Sequence, residues 1–585
     1  MSIVSLSSSN PTCTLDDLQN AAKVYNFSIA SGSVDESTFL QFANAFDATC
    51  QEIQDLPEYE HPGLRPTAVE GGERTFCRPS NRDNPLNGWS HVTSLKSADP
   101  KARKEGRLSG RTIAIKDNIS VAGLPLRIGC SPSLYASAVH PVSSIDATIV
   151  SRILAAGAEI KGTGTCENLS LFALSYTSDS GPVHNAWKSG YCTGGSSSGC
   201  GTLVSVPDVQ EARVKGRREG GSHDLGEGVD MAMGGDQGGS VRLPAAYSGI
   251  YGLKPTHGLV PYTGIASLSP MVDHAGPMAR TVEDIALLLS VVAGYDGIDS
   301  RMTPLSPKRE EVKDYLAELD AWRAIKEAAG EWTPTAAAKG LKVGILEEGF
   351  AFAGIDEEVK ATVLQAVRRF SNLGADVRSI SIPLHAHGPA IWTVACRPGM
   401  GAGLSNAPST HLSHPLPHVD PVPSHANEKY YAALANRNPA VINVLLNAAQ
   451  MEQKHGARLA RKAQMHIHEL RAAYDSALEA VDILITPLNP TVAPRIPAGA
   501  LEDGGKGGSV WDIVEPTVGA TMNTCPFNIT GHPALSMPVG WGNVSRGIEE
   551  GKLPIGMQLI GKRFDERTML RAAGAWEVGG KWKGW

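Results

Sequence analysis

The sequence predicts an α/β fold in which helices cover a mostly internal sheet. Short apolar runs rich in β-branched residues, such as TIAI (112–115) and VDILIT (481–486), recur along the chain. Amphipathic helical patterns alternate with them. Hydrophobic residues make up 42% of the 585 residues, enough for a large core, and charged residues at 19% are too few for a disordered chain. There are 62 Gly and 38 Pro, which favours many turns but falls below the collagen or low-complexity range.

The elements follow in order. Thr14 precedes the amphipathic run LDDLQNAAKVYNF, and FLQFANAFDATCQEI sets Phe39, Phe42 and Phe46 on one face. Residues 1 to about 55 therefore read as helical. Residues 56–88 are rich in Pro, Gly and charge and read as a linker. TIAI reads as a buried strand, and DATIVSRILAAG as a helix from Asp146 to near Gly157. TVEDIALLLSVVAG has Thr281 as N-cap, Asp284 at the capping-box position and Gly294 as stop. LKVGIL (341–346), DEEVKATVLQAVRRFSNLG and DVRSISI form a βαβ-like unit. VDILIT and LPIGMQLIG (553–561) supply further strands, and no internal repeat is visible.

Several function classes drop out. The 53 basic and 60 acidic residues leave a net charge of -7 with no basic stripe, so nucleic acid is not an expected partner. Nine scattered cysteines contain no C-x-x-C pair and read as reduced thiols of a cytoplasmic protein. The N-terminus MSIVSLSSSNPT lacks the charged start of a signal peptide. The most apolar run, within 285–293, is too short to span a bilayer, so no membrane association is expected.

Glycine is concentrated in one region. Residues 194–258 hold 16 of the 62 glycines, where an even spread gives about 7. The excess lies in GGSSSGCG (194–201) and GGDQGGS (234–240). Glycines beside serines let backbone N–H groups line a concavity suited to a phosphate or a developing oxyanion. No G-x-x-x-x-G-K-[ST] occurs, and no G-x-G-x-x-G follows a convincing strand. Residues 195–199 fit G-x-S-x-G formally, but the preceding NAWKSGYCT is a poor strand for a nucleophile elbow. A plain surface loop would be the default for one such run. Two runs with a matching lysine change that. Lys116 ends the apolar strand in GRTIAIKDNIS, where desolvation lowers an amine's pKa and leaves it able to accept a proton. The bland alternative is a lysine that reaches solvent or pairs with Asp117.

Together these segments resemble the amidase signature family. GRTIAIKDNI is similar to its lysine segment, GGSSSG to its first serine segment, and GGDQGGSVRLPAAYSGIYGLKPTHGLVPYTG to its long glycine-serine signature. VDILITPLNP, NTCPFNITGHPALSMPVG and LPIGMQLIGKRFDERTML extend the likeness over nearly the whole chain. NPLNGWSHVTSL and the helical N-terminus resemble the enantioselective amidases of nitrile breakdown. The resemblance implies one catalytic α/β domain, a large mixed sheet between helices, over 86–585. It also implies a small N-terminal helical accessory segment with its linker over 1–85, used for homodimerisation. Lys116 matches the catalytic lysine, Ser196 the bridging serine on a cis peptide, and Ser240 the nucleophile. Backbone N–H groups of Gln237, Gly238 and Gly239 match the oxyanion donors. The implied reaction hydrolyses a small-molecule carboxylic amide through an acyl-enzyme, with no cofactor and no metal. Asp236 and Arg242 read as a structural ion pair that holds the loop.

Two departures stand out. Ser198 occupies a position that is Gly in many relatives, and neighbouring Cys200 invites a thiol-nucleophile reading. That class needs a Glu-Lys-Cys constellation in contexts absent here. Ser196 and Ser240 are also 44 residues apart, against about two dozen in the family, which leaves residues 205–224 as an insertion. Three readings of this segment stand open: a surface loop, a disruption that leaves a catalytically impaired binding protein, and a retained intron. Its length would be in frame, and Val204-Ser205 can be encoded by a splice-donor-like GTGAGT, which favours the intron. A glutamine amidotransferase subunit, which passes ammonia to misacylated tRNA, is the other family activity. Parts of residues 385–450 are expected to wall the pocket, with the His-rich stretch 385–418 as a loop over the site.

Overall fold

The computed structural model describes residues 11–57, 59–134, 139–215, 225–405, 426–501, 509–544, 551–580 and 582. Its β-strands join one mixed sheet. The strands are β1 (Trp89–Leu95), β2 (Thr112–Lys116), β3 (Glu159–Gly164), β4 (Met231–Gly235), β5 (Tyr251–Lys254) and β6 (Ala275–Ala279). They continue with β7 (Lys342–Leu346), β8 (Asp376–Ile380), β9 (Ile483–Pro487), β10 (Ala534–Asn543) and β11 (Lys552–Gly561). Their order is β1-β3-β2-β4-β6-β5-β10-β11-β9-β7-β8. Two parallel triplets, β3-β2-β4 and β8-β7-β9, flank an antiparallel centre of β6, β5, β10 and β11. β2 therefore has a parallel neighbour on each side, and its residues Ile113, Ala114, Ile115 and Lys116 are fully buried.

The chain divides into two compact units, Met1–Gly63 and Leu64–Trp585. In the first, Thr14 caps the helix Leu15–Val24 in a full capping box with Asp17. Ser33 caps the helix Val34–Gln54 by accepting from Glu36 N–H at 3.0 Å. Phe39 and Phe46 are exposed, and Phe42 meets Phe39 edge-on at 6.3 Å.

In the second unit, β7, the helix Glu357–Asn372 and β8 form the expected parallel crossover. Val359, Val363, Ala366, Val367 and Phe370 make its buried stripe at helical spacing. Two starts differ from the sequence expectation. The helix read from Asp146 begins at Thr148, because the Asp146 carboxylate is occupied elsewhere. It pairs with Arg74 at 2.7 Å and accepts from the N–H groups of Thr67 and Ala122. At the other start, Thr281 accepts from Asp284 N–H, but Asp284 turns to Arg111 at 2.9 Å instead of closing a capping box. Arg74 also shows why residues 64–88 only looked like a linker. Val69 and Cys77 in that stretch bridge to Ser97 and Val92, partners too distant in sequence to read.

Three further segments bear on the site. The helix Ser198–Val214 runs through Ser205, and Val206 and Val209 pack with Leu86, Ala186 and Leu225. Residues 216–224 lie outside the described residues. In the His-rich stretch, residues Gly388–Leu404 form a helix rather than a loop, driven by the apolar residues Ile391, Ala395, Cys396 and Met400 on its buried side. His385 is buried, hydrogen-bonded to Tyr474 at 2.6 Å and Asn523 at 3.1 Å. Residues 406–425 lie outside the described residues. Among the described residues no helix is long and apolar enough to cross a membrane.

The start of the helix Ser198–Val214 seats on the sheet through Gly199. A Cβ there would lie 2.2 Å from Gly88 O and 2.4 Å from Thr165 N. These are backbone atoms beside β1 and β3, so the helix start would have to move away from them. Gly199→Ala is expected to destabilise the catalytic unit by roughly 1–3 kcal/mol, read as a lower urea midpoint at unchanged slope.

Candidate active site

Lys116 lies at the C-terminal end of β2 and has no solvent exposure. Its Nζ is 2.8 Å from Ser196 Oγ. Burial pulls the amine below its ordinary value of 10.5, and the nearby Cys166, Cys200, Asp236 and Glu167 oppose this only in part. The bland alternatives for this lysine are thus absent, since it neither reaches solvent nor pairs with Asp117. Asp117 instead accepts from Ser90 at 3.0 Å, and burial raises its carboxyl to about 6.

Ser196 follows a cis Gly195–Ser196 peptide. Gly195 must be glycine, because a Cβ would lie 2.2 Å from Leu174 O. The two serine loops are stitched together. Ser197 N–H donates to Ser240 O at 3.2 Å, and Ser197 Oγ donates to Gly235 O at 3.2 Å. Ser198, the departure from the family's Gly, has a partner of its own. Its hydroxyl donates to Glu167 Oε1 at 2.8 Å, while Thr177 N–H and Oγ1 both donate to Glu167 Oε2 at 2.6 Å. Three donors offset part of the cost of burying this carboxylate, which burial still raises to about 6. Cys200 is fully buried, and burial pushes its thiol up to about 12, the opposite of an activated nucleophile.

Ser240 is 9% exposed and sits just before the helix Arg242–Ser248. Among the described residues no hydrogen bond joins the Ser240 and Ser196 hydroxyls. The loop ahead of Ser240 is organised by Asp236 and Arg242, both fully buried. Arg242 donates to Asp236 through Nε at 3.0 Å and Nη2 at 2.9 Å. Asp236 also accepts from the N–H groups of Gly239 at 2.8 Å and Val241 at 3.1 Å. Burial alone would raise the Asp236 carboxyl, but the Arg242 guanidinium beside it holds it well below the usual range. The remaining Arg242 donors reach Thr524 O, Asn528 Oδ1 and Gln558 Oε1. The pair therefore holds the loop, as its sequence position suggested.

Of the three expected oxyanion donors, Gln237 and Gly238 carry N–H groups without an internal acceptor among the described residues. Gly239 differs, because its N–H is committed to Asp236. Sequence reasoning did not find Trp392, Thr524, Asn528 or Gln558 as neighbours of this loop. NTCPFN and GMQLIG were visible as family-like stretches, but which atoms they meet is a tertiary matter. Among the described residues no group of three or more His, Cys, Asp or Glu side chains could hold a metal ion.

A family model described as Amidase matches residues 90–211 and 226–570. The chain belongs to the amidase family. The interruption in the match, 212–225, lies later than the 205–224 segment read from the sequence and is shorter. An enantioselective amidase of Rhodococcus rhodochrous is 35% identical over 541 residues, covering 91% of this chain and 90% of that one. A glutamyl-tRNA(Gln) amidotransferase subunit of Methanosarcina acetivorans is 30% identical over 505 residues, covering 84% and 90%. The solved peptide amidase of Stenotrophomonas maltophilia shares the fold, with a TM-score of 0.58, 24% identity, and 85% and 90% of the two chains covered. This amidase-family chain is thus an α/β enzyme with a mixed sheet, and its glycine surplus lies on the two stitched loops.

Replacing Arg242 with Met would leave the buried Asp236 carboxylate without its counter-charge. This variant is expected to lose about 3–5 kcal/mol of stability in urea unfolding. Because the Asp236 carboxyl is held below its unfolded value, the stabilising term is present above that unfolded value, about pH 4. It is lost as pH falls through the lower folded value, so the wild type should keep this term at pH 5.

Proposed function

We propose that this enzyme hydrolyses a carboxylic amide to the acid and ammonia, with Ser240 as nucleophile, Ser196 as proton bridge and Lys116 as base. The observation that carries the reading is the 2.8 Å contact between Lys116 Nζ and Ser196 Oγ, two side chains with no solvent exposure. A serine hydroxyl attacks a carbonyl poorly until its proton has somewhere to go. Burial favours the neutral amine, which takes the Ser196 proton as Ser196 takes that of Ser240. The Ser240 oxygen then bonds to the carbonyl carbon, and the oxyanion faces the N–H groups of Gln237, Gly238 and Ser240 itself. Collapse breaks the C–N bond, and the proton returns through Ser196 to the departing ammonia. Water then cleaves the acyl ester on Ser240 and regenerates the hydroxyl. The resting Ser196 and Ser240 hydroxyls are not bonded to each other, and such contacts commonly close only around substrate.

A second reading has support of its own. Relatives named as subunits of glutamyl-tRNA(Gln) amidotransferase match with 30% identity over 84% of the chain. The higher identity and wider coverage of the enantioselective amidase favour simple hydrolysis. Co-purification of the tagged chain with partner proteins of such a complex from its native host would favour the amidotransferase reading instead.

Ser240→Ala and Lys116→Ala are each expected to lower kcat/KM on a panel of aliphatic and aromatic amides by about 10³-fold or more. Full activity in Ser240→Ala would sink the assignment. The neutral amine is the active form, so the wild-type rate should rise with pH and level off at a midpoint below the 10.5 of ordinary lysine. Lys116→Ala should abolish that limb of the pH–rate profile.

A further inference from the structure

The loop from Asp236 to Ser240 has every carbonyl held from outside. Asn528 Nδ2 donates to Asp236 O at 3.0 Å, and Trp392 Nε1 donates to Gln237 O at 3.1 Å. Thr524 Oγ1 donates to Gly238 O, and Leu243 N–H donates to Gly239 O at 2.7 Å. In a trans peptide the carbonyl and the following N–H point in opposite directions. Fixing each carbonyl therefore aims the next N–H the other way. The N–H groups of Gln237, Gly238 and Ser240 then have no internal acceptor among the described residues, and that of Gly239 meets Asp236. Several N–H groups left without an internal acceptor in one short loop are unusual, because each carries a desolvation cost when water is excluded unless a ligand satisfies it.

The three side-chain clamps are not equivalent. Asn528 also accepts from Arg242, so it belongs to the ion-pair network. Thr524 fixes the peptide whose N–H serves Asp236 rather than the site. Trp392 fixes the peptide that presents the Gly238 N–H. It is half-buried on the helix Gly388–Leu404, and its ring lies against Gly238, where a Cβ would come 3.2 Å from Trp392 Cζ2. We propose that Trp392 is a positioning residue for the oxyanion pocket, its indole N–H turning the 237–238 peptide so that Gly238 N–H faces the acyl oxygen. The proposal rests on Ser240 being the nucleophile. The indole N–H acts through the Gln237 carbonyl and so contributes where charge develops, in the transition state rather than in ground-state binding.

Trp392→Phe keeps an aromatic side chain at this position and removes the N–H. Turnover of a simple aromatic amide should fall about 10- to 100-fold in kcat, with KM changed by less than about 3-fold. Affinity for a trifluoromethyl ketone, which forms a tetrahedral oxyanion on serine, should weaken by a similar factor. Affinity for the product carboxylate and the melting temperature should stay as in the wild type. A Trp392→Phe enzyme with wild-type kcat and ketone affinity, or one whose loss lies wholly in KM, would overturn the clamp. A fold-wide defect would show as a lowered melting temperature with carboxylate affinity lost as well, which also counts against it. Reaction of wild-type enzyme with a fluorophosphonate separates the two levels. Absence of both labelling at Ser240 and amide turnover would remove the nucleophile reading and the clamp with it, whereas labelling with unchanged Trp392→Phe kinetics removes the clamp alone.

Discussion

The Asp236–Arg242 pair is the constraint around which the site is built. Both side chains are excluded from solvent, so each charge is costly to bury without the other. Geometry makes the pair tolerable. The planar guanidinium gives two donors to one carboxylate and sends the rest to Thr524, Asn528 and Gln558. Asp236 follows β4, while Asn528 and Gln558 come from the C-terminal part of the chain. A single fork of hydrogen bonds thus ties the glycine loop to elements nearly three hundred residues away. The loop needs this restraint because Gly238 and Gly239 have little conformational preference of their own.

Around that anchor, the sheet decides what Lys116 is. A lysine at the end of an edge strand would stay hydrated and charged. Lys116 ends a strand with a parallel neighbour on each side, and the helix Ser198–Val214 packs close by. Near it lie the Ser196 hydroxyl and the Cys166 and Cys200 thiols, and the nearby carboxylates are bonded to other donors. Glu167 is engaged by Ser198 and Thr177, and Asp117 by Ser90. Had either carboxylate contacted the ammonium directly, the charged form would be favoured over the neutral amine. The hydroxyl of Ser198 thus has a physical role, because it supplies one of three donors to a buried carboxylate beside the lysine.

Much of the fold was legible. The parallel unit of β7 and β8 could be read because its helix carries a continuous apolar stripe between two apolar strands. Lys116 and the two serine loops stood out because glycine beside serine is rare at that density. Other features were misread for specific reasons. Asp146 looked like a helix cap, yet its carboxylate is spoken for by Arg74, seventy-two residues earlier. Residues 64–88 looked like a linker because Pro, Gly and charge carry no local sign of the bridges they make. The segment from Ser205 looked polar throughout, yet Val206 and Val209 are spaced to face one side of a helix.

Sequence alone determined the chemical types and their order: an amine at the end of a strand, two glycine-serine loops, and an acid and a base flanking the second. These are local facts, set by residue identity and spacing. Tertiary structure alone decided which backbone N–H groups stay open. Gly239 was as good a candidate as Gly238 by composition, but Asp236 takes its N–H while Trp392 and Asn528 turn the neighbouring peptides outward. A peptide's direction depends on what holds its carbonyl, and those partners lie about 150 and 290 residues further along the chain.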